Sequence, residues 1–142
     1  MKRAYPDCPV CAVGAMIFKD GRILLVKRGQ PPAFGKWSIP GGVVQLGETL
    51  EEAVIREARE ETGLEVQPLR IGKVVERIFR DVESRIEYHY IILDYVCEIR
   101  GGTLRAGSDA SAVDLVSFES LDQLELTEGT AQVIREVFGG KS

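Results

Sequence analysis

The spacing of apolar and polar residues predicts a β-rich chain that carries two helices. Apolar runs over residues 12–18 and 22–27 flank Lys19-Asp20-Gly21, a sequence typical of a β-hairpin turn. Further strands are expected over residues 74–80, 86–99 and 115–118, with turns at 81–84 and at Gly101-Gly102, and a loop over 30–40. Strands and helices in this order indicate an α+β sandwich, a mixed β-sheet flanked by helices.

The segment from Thr49 to Gly63 predicts a helix with clear ends. Thr49 is a good N-cap, and Glu52 three residues on completes a capping box. Gly63 is the expected left-handed stop at the other end. At about 100° per residue, one apolar stripe is formed by Leu50, Ala53, Val54 and Ala58. The second helix is expected over residues 127–137, with an apolar face formed roughly by Ala131, Val133, Ile134 and Phe138.

The first helix places acidic residues on its apolar side. Glu57 and Glu61 fall within the stripe, and Glu60 lies on its edge. A buried carboxylate costs several kcal/mol unless it is paired or binds a metal, so a cation site is one explanation. An exposed ladder of Glu52, Arg56 and Glu60 is the alternative, and it leaves Glu57 and Glu61 unexplained. A short helix can also leave its last turn in solvent, so geometry alone leaves both interpretations open.

The same region follows a long spaced pattern, G-x5-E-x7-R-E-U-x-E-E-x-G-U, in which U is a bulky apolar or small residue. Its fixed positions are Gly42, Glu48, Arg56, Glu57, Glu60, Glu61, Gly63 and Leu64. This pattern resembles the Nudix box at every constrained position, and the resemblance extends from the strand before Arg28 to the final helix. It implies the Nudix α/β/α sandwich as one domain over residues 1–142. It also implies metal-dependent hydrolysis of a diphosphate linkage in a nucleoside diphosphate joined to another group.

The resemblance further implies roles for individual residues. Glu57, Glu60 and Glu61 are the expected catalytic metal ligands, joined by the backbone carbonyl of Gly41, and either Glu60 or Glu61 is the general base. The expected ion is Mg²⁺, with Mn²⁺ as a substitute, because a hard cation can neutralise phosphate oxygens and lower the pKa of a bound water. Glu48 and Arg56 are expected to pair with the box carboxylates and hold them in position; plain surface charge is the alternative.

Residues outside the box are candidates for substrate contacts. Arg28 could reach a phosphate, with surface solvation as the alternative. The candidates for stacking on a base are Trp37, Phe34, Tyr88 and Tyr90. His89 is chemically suited to be a base but is as easily explained as a packed or substrate-lining side chain. Asp109 lies in a loop that could supply a base, and a turn-capping aspartate is the alternative.

The pattern outside the box resembles the small Nudix proteins of the ADP-ribose pyrophosphatase type. It implies that ADP-ribose is cleaved to AMP and ribose 5-phosphate. A proline that marks one group of ADP-ribose hydrolases is absent, since Phe79-Arg80 stands at that place. The first alternative is therefore a MutT-like nucleotide pyrophosphatase acting on oxidised nucleotides. The remote alternative, a non-catalytic nucleotide-binding module, typically loses box glutamates, and all are kept here.

Composition narrows the partners. The chain of 142 residues has a net charge of −4, which disfavours a nucleic-acid polymer as partner. The resemblance implies a small nucleotide as substrate, and an acidic protein that handles phosphates needs cations to bridge them. No apolar run of about 18 residues is present, and the N-terminus lacks an apolar signal region, so no membrane contact and a cytoplasmic location are expected. Whether the protein forms a homodimer stays open.

Cys8 and Cys11 have the spacing of half a zinc knuckle, but Cys97 and His89 are expected to lie too far away to complete a site.

Overall fold

Two long strands that pair in parallel form the centre of the sheet. The structure is a computed structural model that describes residues 2–31, 33–107 and 110–139. Its strands are β1 Val10–Lys19, β2 Arg22–Arg28, β3 Trp37–Ser38, β4 Gly41–Val43, β5 Leu64–Arg80, β6 Ile86–Gly102 and β7 Ala110–Ser117. Its helices are α1 Leu50–Thr62, a 3-10 turn over Phe118–Gln123, and α2 Thr130–Val137. Within these ranges β1 pairs in parallel with β6 and the remaining strand pairs are antiparallel, so the sheet is mixed.

The sheet divides along β1. The strand order is β3-β2-β1-β6-β5, while β4 pairs with β1 and β7 pairs with β2. In the described ranges β1 meets β2 through Phe18↔Ile23 and Lys19↔Arg22, at the end of the hairpin. The N-terminal half of β1 pairs with β4 instead, from Ala12 to Gly14. The two parts of the sheet therefore separate beyond the hairpin, which leaves room for a cleft between them.

Each face of the sheet buries one helix. Because successive strand residues point to opposite faces, alternate residues of β1 and β6 enter different cores. The core under α1 contains Val13, Ala15, Tyr95 and Cys97 of the strands with Ala53, Val54 and Ala58 of the helix. The core under α2 contains Met16, Val75 and Val96 with Val133 and Ile134. The α+β sandwich expected from the sequence is confirmed.

The ends of α1 are also those expected from the sequence. The Thr49 hydroxyl accepts a hydrogen bond from the Glu52 N–H at 3.1 Å, and the Glu52 carboxylate accepts one from the Thr49 N–H at 2.8 Å. Gly63 ends the helix in the left-handed region, with φ of 78°. The cap fixes the start of α1, and with it the phase at which the box glutamates leave the helix.

Several element boundaries differ from the prediction. Strand β5 begins at Leu64, ten residues before the predicted start at residue 74. The first half of the strand was not predicted because its ladder with β6 shifts register between Glu65/Val66, Pro68/Arg70 and Ile71/Lys73. These shifts break the alternation of apolar and polar residues that signals a strand. Gly101-Gly102 belongs to the end of β6 instead of forming a turn. The strand expected over residues 115–118 runs from Ala110 to Ser117, and Phe118 opens the 3-10 turn. Helix α2 begins at Thr130, after a left-handed Gly129, instead of near residue 127.

In the part of the chain that the structure describes, no helix is both long enough and apolar enough to cross a bilayer.

The capping box gives a first prediction. Replacing Thr49 with Ala removes the acceptor for the Glu52 N–H and should lower the free energy of unfolding by about 1 kcal/mol. Thr49→Ser keeps the hydroxyl and should stay within about 0.5 kcal/mol of the wild type. Urea denaturation followed by circular dichroism measures both variants. Equal loss in the two variants would mean that the hydroxyl does not cap the helix.

Candidate active site

A cleft opens where the two parts of the sheet separate. Its volume is about 290 Å³. It is lined by residues of β1, β2, β4, β5 and β6, by the last turns of α1, and by the segment that leads into α2. Glu57 and Glu61 stand at the α1 side, next to Gly41 and Gly42 of β4. Glu57 and Glu61 therefore share one cavity with the α2 face of the sheet.

Glu57 is held against a glycine. Its side chain is 12% exposed, and a Cβ built on Gly42 would lie 2.6 Å from its Cδ, inside contact distance. The absence of a side chain at position 42 thus makes the space that the carboxylate fills. Burial raises the pKa of Glu57, the Arg56 guanidinium lowers it, and the charge of Glu60 raises it again. Glu57 is a partly desolvated carboxylate that a further positive charge would stabilise.

Glu61 is held by the backbone of β4. The Gly41 N–H donates a hydrogen bond to its Oε2 at 2.6 Å. A Cβ on Gly41 would lie 2.9 Å from the Gly14 Cα, so a glycine is needed for β4 to pair this closely with β1. This bond places the Gly41 backbone beside Glu61, and the part of the Gly41 carbonyl as a metal ligand stays a prediction.

Arg56 connects the glutamates of the box. Its Nε donates to Glu48 Oε2 at 2.6 Å and one terminal nitrogen donates to Glu48 Oε1 at 2.9 Å, a two-point pair. The other terminal nitrogen lies 3.3 Å from both Glu57 and Glu60. A further bond at 3.1 Å reaches the Val43 carbonyl of β4. The hydrogen bonds from Arg56 hold the pKa of Glu48 below its usual value. Arg56 thereby ties the helix, the preceding loop and β4 together.

The positions of Glu57, Glu60 and Glu61 determine how these residues could hold a metal ion. Glu60 is 56% exposed and turned towards Arg56. Among the described residues, no group of three or more His, Cys, Asp or Glu side chains is assembled closely enough to hold an ion. Mg²⁺ keeps several waters and needs only one or two protein carboxylates. Glu57 and Glu61, both beside the Gly41-Gly42 backbone, therefore fit a hydrated divalent cation, with Glu60 on the solvent side.

The cysteine pair gives no such fit. Cys8 and Cys11 are exposed, and Cys97 is buried with a pKa raised to about 12 by desolvation. His89 lies nearer to the pair than expected, because its neighbour Tyr90 pairs directly with Val10 of β1. In the ranges that the structure describes, these residues still form no group that could hold a metal.

Basic residues also line the cleft. Arg28 at the end of β2 and Lys36 before β3 both face it, and the Arg28 N–H donates to the Lys36 carbonyl at 2.8 Å. Arg3 and Arg77 line the same cavity. Guanidinium groups are well suited to phosphate oxygens. The cleft thus offers both carboxylates for a cation and cationic side chains for an anion.

The aromatic residues reach the cleft unequally. Tyr90 and Phe79 line it, and Tyr88 extends this wall because its ring stacks on Tyr90 with centroids 6.3 Å apart. Trp37 packs against the α2-side core and His89 pairs with Ile78 of β5; neither is among the described residues that line the cleft. Their contact with a substrate stays a prediction. Asp109 lies outside the described residues.

Asp94 is a buried acidic residue of the cleft that the sequence did not reveal as a candidate. Asp94 is 6% exposed and lines the cleft from β6. A Cβ on the neighbouring Gly14 would overlap its Oδ1, so Gly14 provides the space for the carboxylate. Burial raises the pKa of Asp94 to about 6, and Arg77 opposes the shift. The available signal was one acidic residue inside the apolar run Tyr-Ile-Ile-Leu-Asp-Tyr-Val.

Comparisons with known proteins agree with this geometry. An ADP-ribose pyrophosphatase of Methanocaldococcus jannaschii is 39% identical over 116 residues, which cover 82% of this chain and 66% of that protein. A MutT-like protein of Streptomyces ambofaciens is 31% identical over 114 residues, 80% of this chain and 67% of that protein. This chain therefore spans about two thirds of the length of these curated relatives.

The fold and the family agree as well. The crystal structure of a MutT NUDIX hydrolase from Burkholderia pseudomallei matches with a TM-score of 0.81 at 32% identity, covering 92% of this chain and 99% of that one. The family model described as the NUDIX domain matches residues 9–137. With the box complete and its Glu57 and Glu61 lining a cleft, this chain belongs to the Nudix hydrolase family.

Proposed function

We propose that this protein hydrolyses a diphosphate linkage in a nucleoside diphosphate derivative and that it uses a divalent cation, Mg²⁺ or Mn²⁺. The observation that carries the proposal is the placement of Glu57 and Glu61 beside the Gly41-Gly42 backbone, inside a cleft that also contains basic side chains. A diphosphate is anionic and repels a water nucleophile until its charge is neutralised, which a bound cation and the basic side chains together can do.

The glutamates and the arginine of the box have different roles in this proposal. Glu57 and Glu61 hold the ion, which supplies Lewis acidity and neutralises phosphate charge when it is bound. Arg56 keeps Glu57 in place through the bond at 3.3 Å, and Glu48 keeps Arg56 in place through its two-point pair. Glu60 and Glu61 remain the candidates for the general base.

Further residues of the cleft are suited to bind the phosphates and the base of a nucleotide. Arg28 and Lys36 offer positive charge to the phosphates, and Tyr90 and Phe79 offer aromatic surface to a base. ADP-ribose, cleaved to AMP and ribose 5-phosphate, is the leading substrate, supported by the 39% identical relative that bears that name. A MutT-like pyrophosphatase acting on oxidised nucleotides is the second candidate, supported by the MutT-like relative and structure.

Product analysis separates these two substrates. Incubation with ADP-ribose and with 8-oxo-dGTP should give faster turnover of ADP-ribose, with AMP and ribose 5-phosphate as products. Faster release of a nucleoside monophosphate and pyrophosphate from the triphosphate would move the protein to the second candidate with the same site.

Addition of EDTA should abolish either reaction and Mg²⁺ or Mn²⁺ should restore it, because the carboxylates need the ion to receive an anion. Turnover that persists in EDTA would contradict the proposed use of a cation.

The box glutamates give a sharper test. Glu57→Gln and Glu61→Gln each remove one charge from the proposed ion site and should lower kcat by about 100-fold or more at saturating Mg²⁺, through loss of transition-state charge stabilisation. Glu51→Gln, on the exposed first turn of the same helix, is the matched control and should keep kcat within about twofold. Near-wild-type kcat in both site variants would sink the assignment.

The space at Gly42 can be tested separately. Gly42→Ala places a methyl group where the Glu57 carboxylate stands, and the side chain can turn away, so activity should fall about tenfold or more while the fold survives. Gly101→Ala is the control, since nothing lies within 4 Å of a Cβ there. Steady-state hydrolysis and melting temperature are measured for both. Full activity in Gly42→Ala would show that the position of Glu57 does not matter.

A further inference from the structure

Asp94 is a buried carboxylate in the cleft to which the proposed hydrolysis assigns no role. Its direction follows from its neighbours on β6. Leu93 and Tyr95 pack in the core under α1, whereas Ile92 and Val96 pack in the core under α2. Because successive strand residues alternate, Asp94 points to the α2 face. The proposed ion ligands come from α1, on the other face, so Asp94 reaches the cleft from the opposite side.

A purely structural role explains Asp94 poorly. An apolar side chain between Ile92 and Val96 would extend the α2-side core, whereas a buried carboxylate costs free energy unless it is paired. Among the described residues, Arg77 is the charge that offsets it, and no side chain donates a hydrogen bond to it. The Arg77 guanidinium also donates to the Glu76 carbonyl at 3.1 Å and packs against Gly129, so it is shared. Acceptor capacity therefore remains on a carboxylate that faces the cleft.

The strand ladder places Asp94 relative to the ion site. Gly14 pairs with Gly41 across the β1–β4 ladder and with Asp94 across the β1–β6 ladder. Neighbouring strands lie about 4.8 Å apart, so Asp94 is roughly 10 Å from the backbone position that holds Glu61. Gly14 has no side chain to separate the two. When a diphosphate lies at the box glutamates, the part of the substrate beyond it can extend towards Asp94.

We propose that Asp94 is a specificity-determining residue that accepts hydrogen bonds from donor groups of the nucleoside part of the substrate, an inference that rests on the proposed function. An adenosine carries two such sets of donors, the ribose hydroxyls and the 6-amino group of the base. A carboxylate has two oxygens that can accept from either set. Ile39 and Ile92 line the cleft as well, and apolar surroundings strengthen such bonds.

The test pairs one enzyme change with single donor changes in a ligand that cannot be cleaved. Dissociation constants are measured by calorimetry, with Mg²⁺ present and at about pH 8, where the carboxylate is ionised. The ligands are AMP, purine riboside 5′-monophosphate (no 6-amino group), 2′-deoxy-AMP and 3′-deoxy-AMP. Asp94→Asn keeps the shape and removes the charge. Asp114→Asn, on exposed β7 outside the cleft lining, is the matched control.

The expected result is a coupling between Asp94 and one donor set. Asp94→Asn should weaken AMP binding about 10- to 100-fold, and the ligand that lacks the contacted donor should lose much less. The ligand whose affinity changes least on Asp94→Asn then identifies the donor that Asp94 contacts, because that ligand lacks it. An equal loss for all four ligands, or no loss for any, would overturn the proposal. Hydrolysis of ADP-ribose by the wild type is measured separately, so failure of the proposed function is recognised independently.

The folding control has a definite sign. Since burial raises the pKa of Asp94, the ionised group makes the folded state less stable as the pH rises through about 6. Asp94→Asn should therefore melt at or above the wild-type temperature at about pH 8. A much lower melting temperature, together with equal losses of binding for every ligand, would assign Asp94 a structural role and overturn the inference.

Discussion

The pairing of Arg56 with the box glutamates is the interaction on which the candidate site depends. Its guanidinium contacts Glu48, Glu57 and Glu60 and also reaches the Val43 carbonyl. Carboxylates crowded on one helix face would repel one another and turn to solvent. One delocalised cation with several fixed donors offsets that repulsion and sets the direction of each carboxylate. The capping box at the start of α1 then keeps the helix in the phase that these contacts need.

A second constraint comes from glycines in the sheet. Gly41 lets β4 approach β1, Gly42 leaves space for the Glu57 carboxylate, and Gly14 leaves space for Asp94. All three lie in the β1–β4 ladder, close to where β1 turns away from β2. The same division of the sheet that opens the cleft therefore allows polar groups from both faces to reach it. The cores under α1 and α2 stabilise the two faces of the sheet on either side of these polar groups.

The sequence predicted the parts of this arrangement that depend on local signals. The capped helix from Thr49 and the inward position of Glu57 follow from spacing within one segment, and both are present in the structure. The early start of β5 was missed because bulges break its alternation. The positions of Trp37 and His89 outside the cleft lining, and of Asp94 within it, were not predictable for one reason. Which face of a strand meets the cleft depends on the neighbouring strands, and residue type does not reveal it.

The most direct measurement for the central claim is binding of the metal ion itself, without a substrate. Titration of Mn²⁺ followed by electron paramagnetic resonance measures its affinity for the wild type, for Glu57→Gln, for Glu61→Gln, and for Glu51→Gln as the control. We expect saturable binding that weakens about tenfold or more in the two site variants and is unchanged in the control. Equal affinity in all four proteins would show that Glu57 and Glu61 do not hold the ion, and would contradict the account.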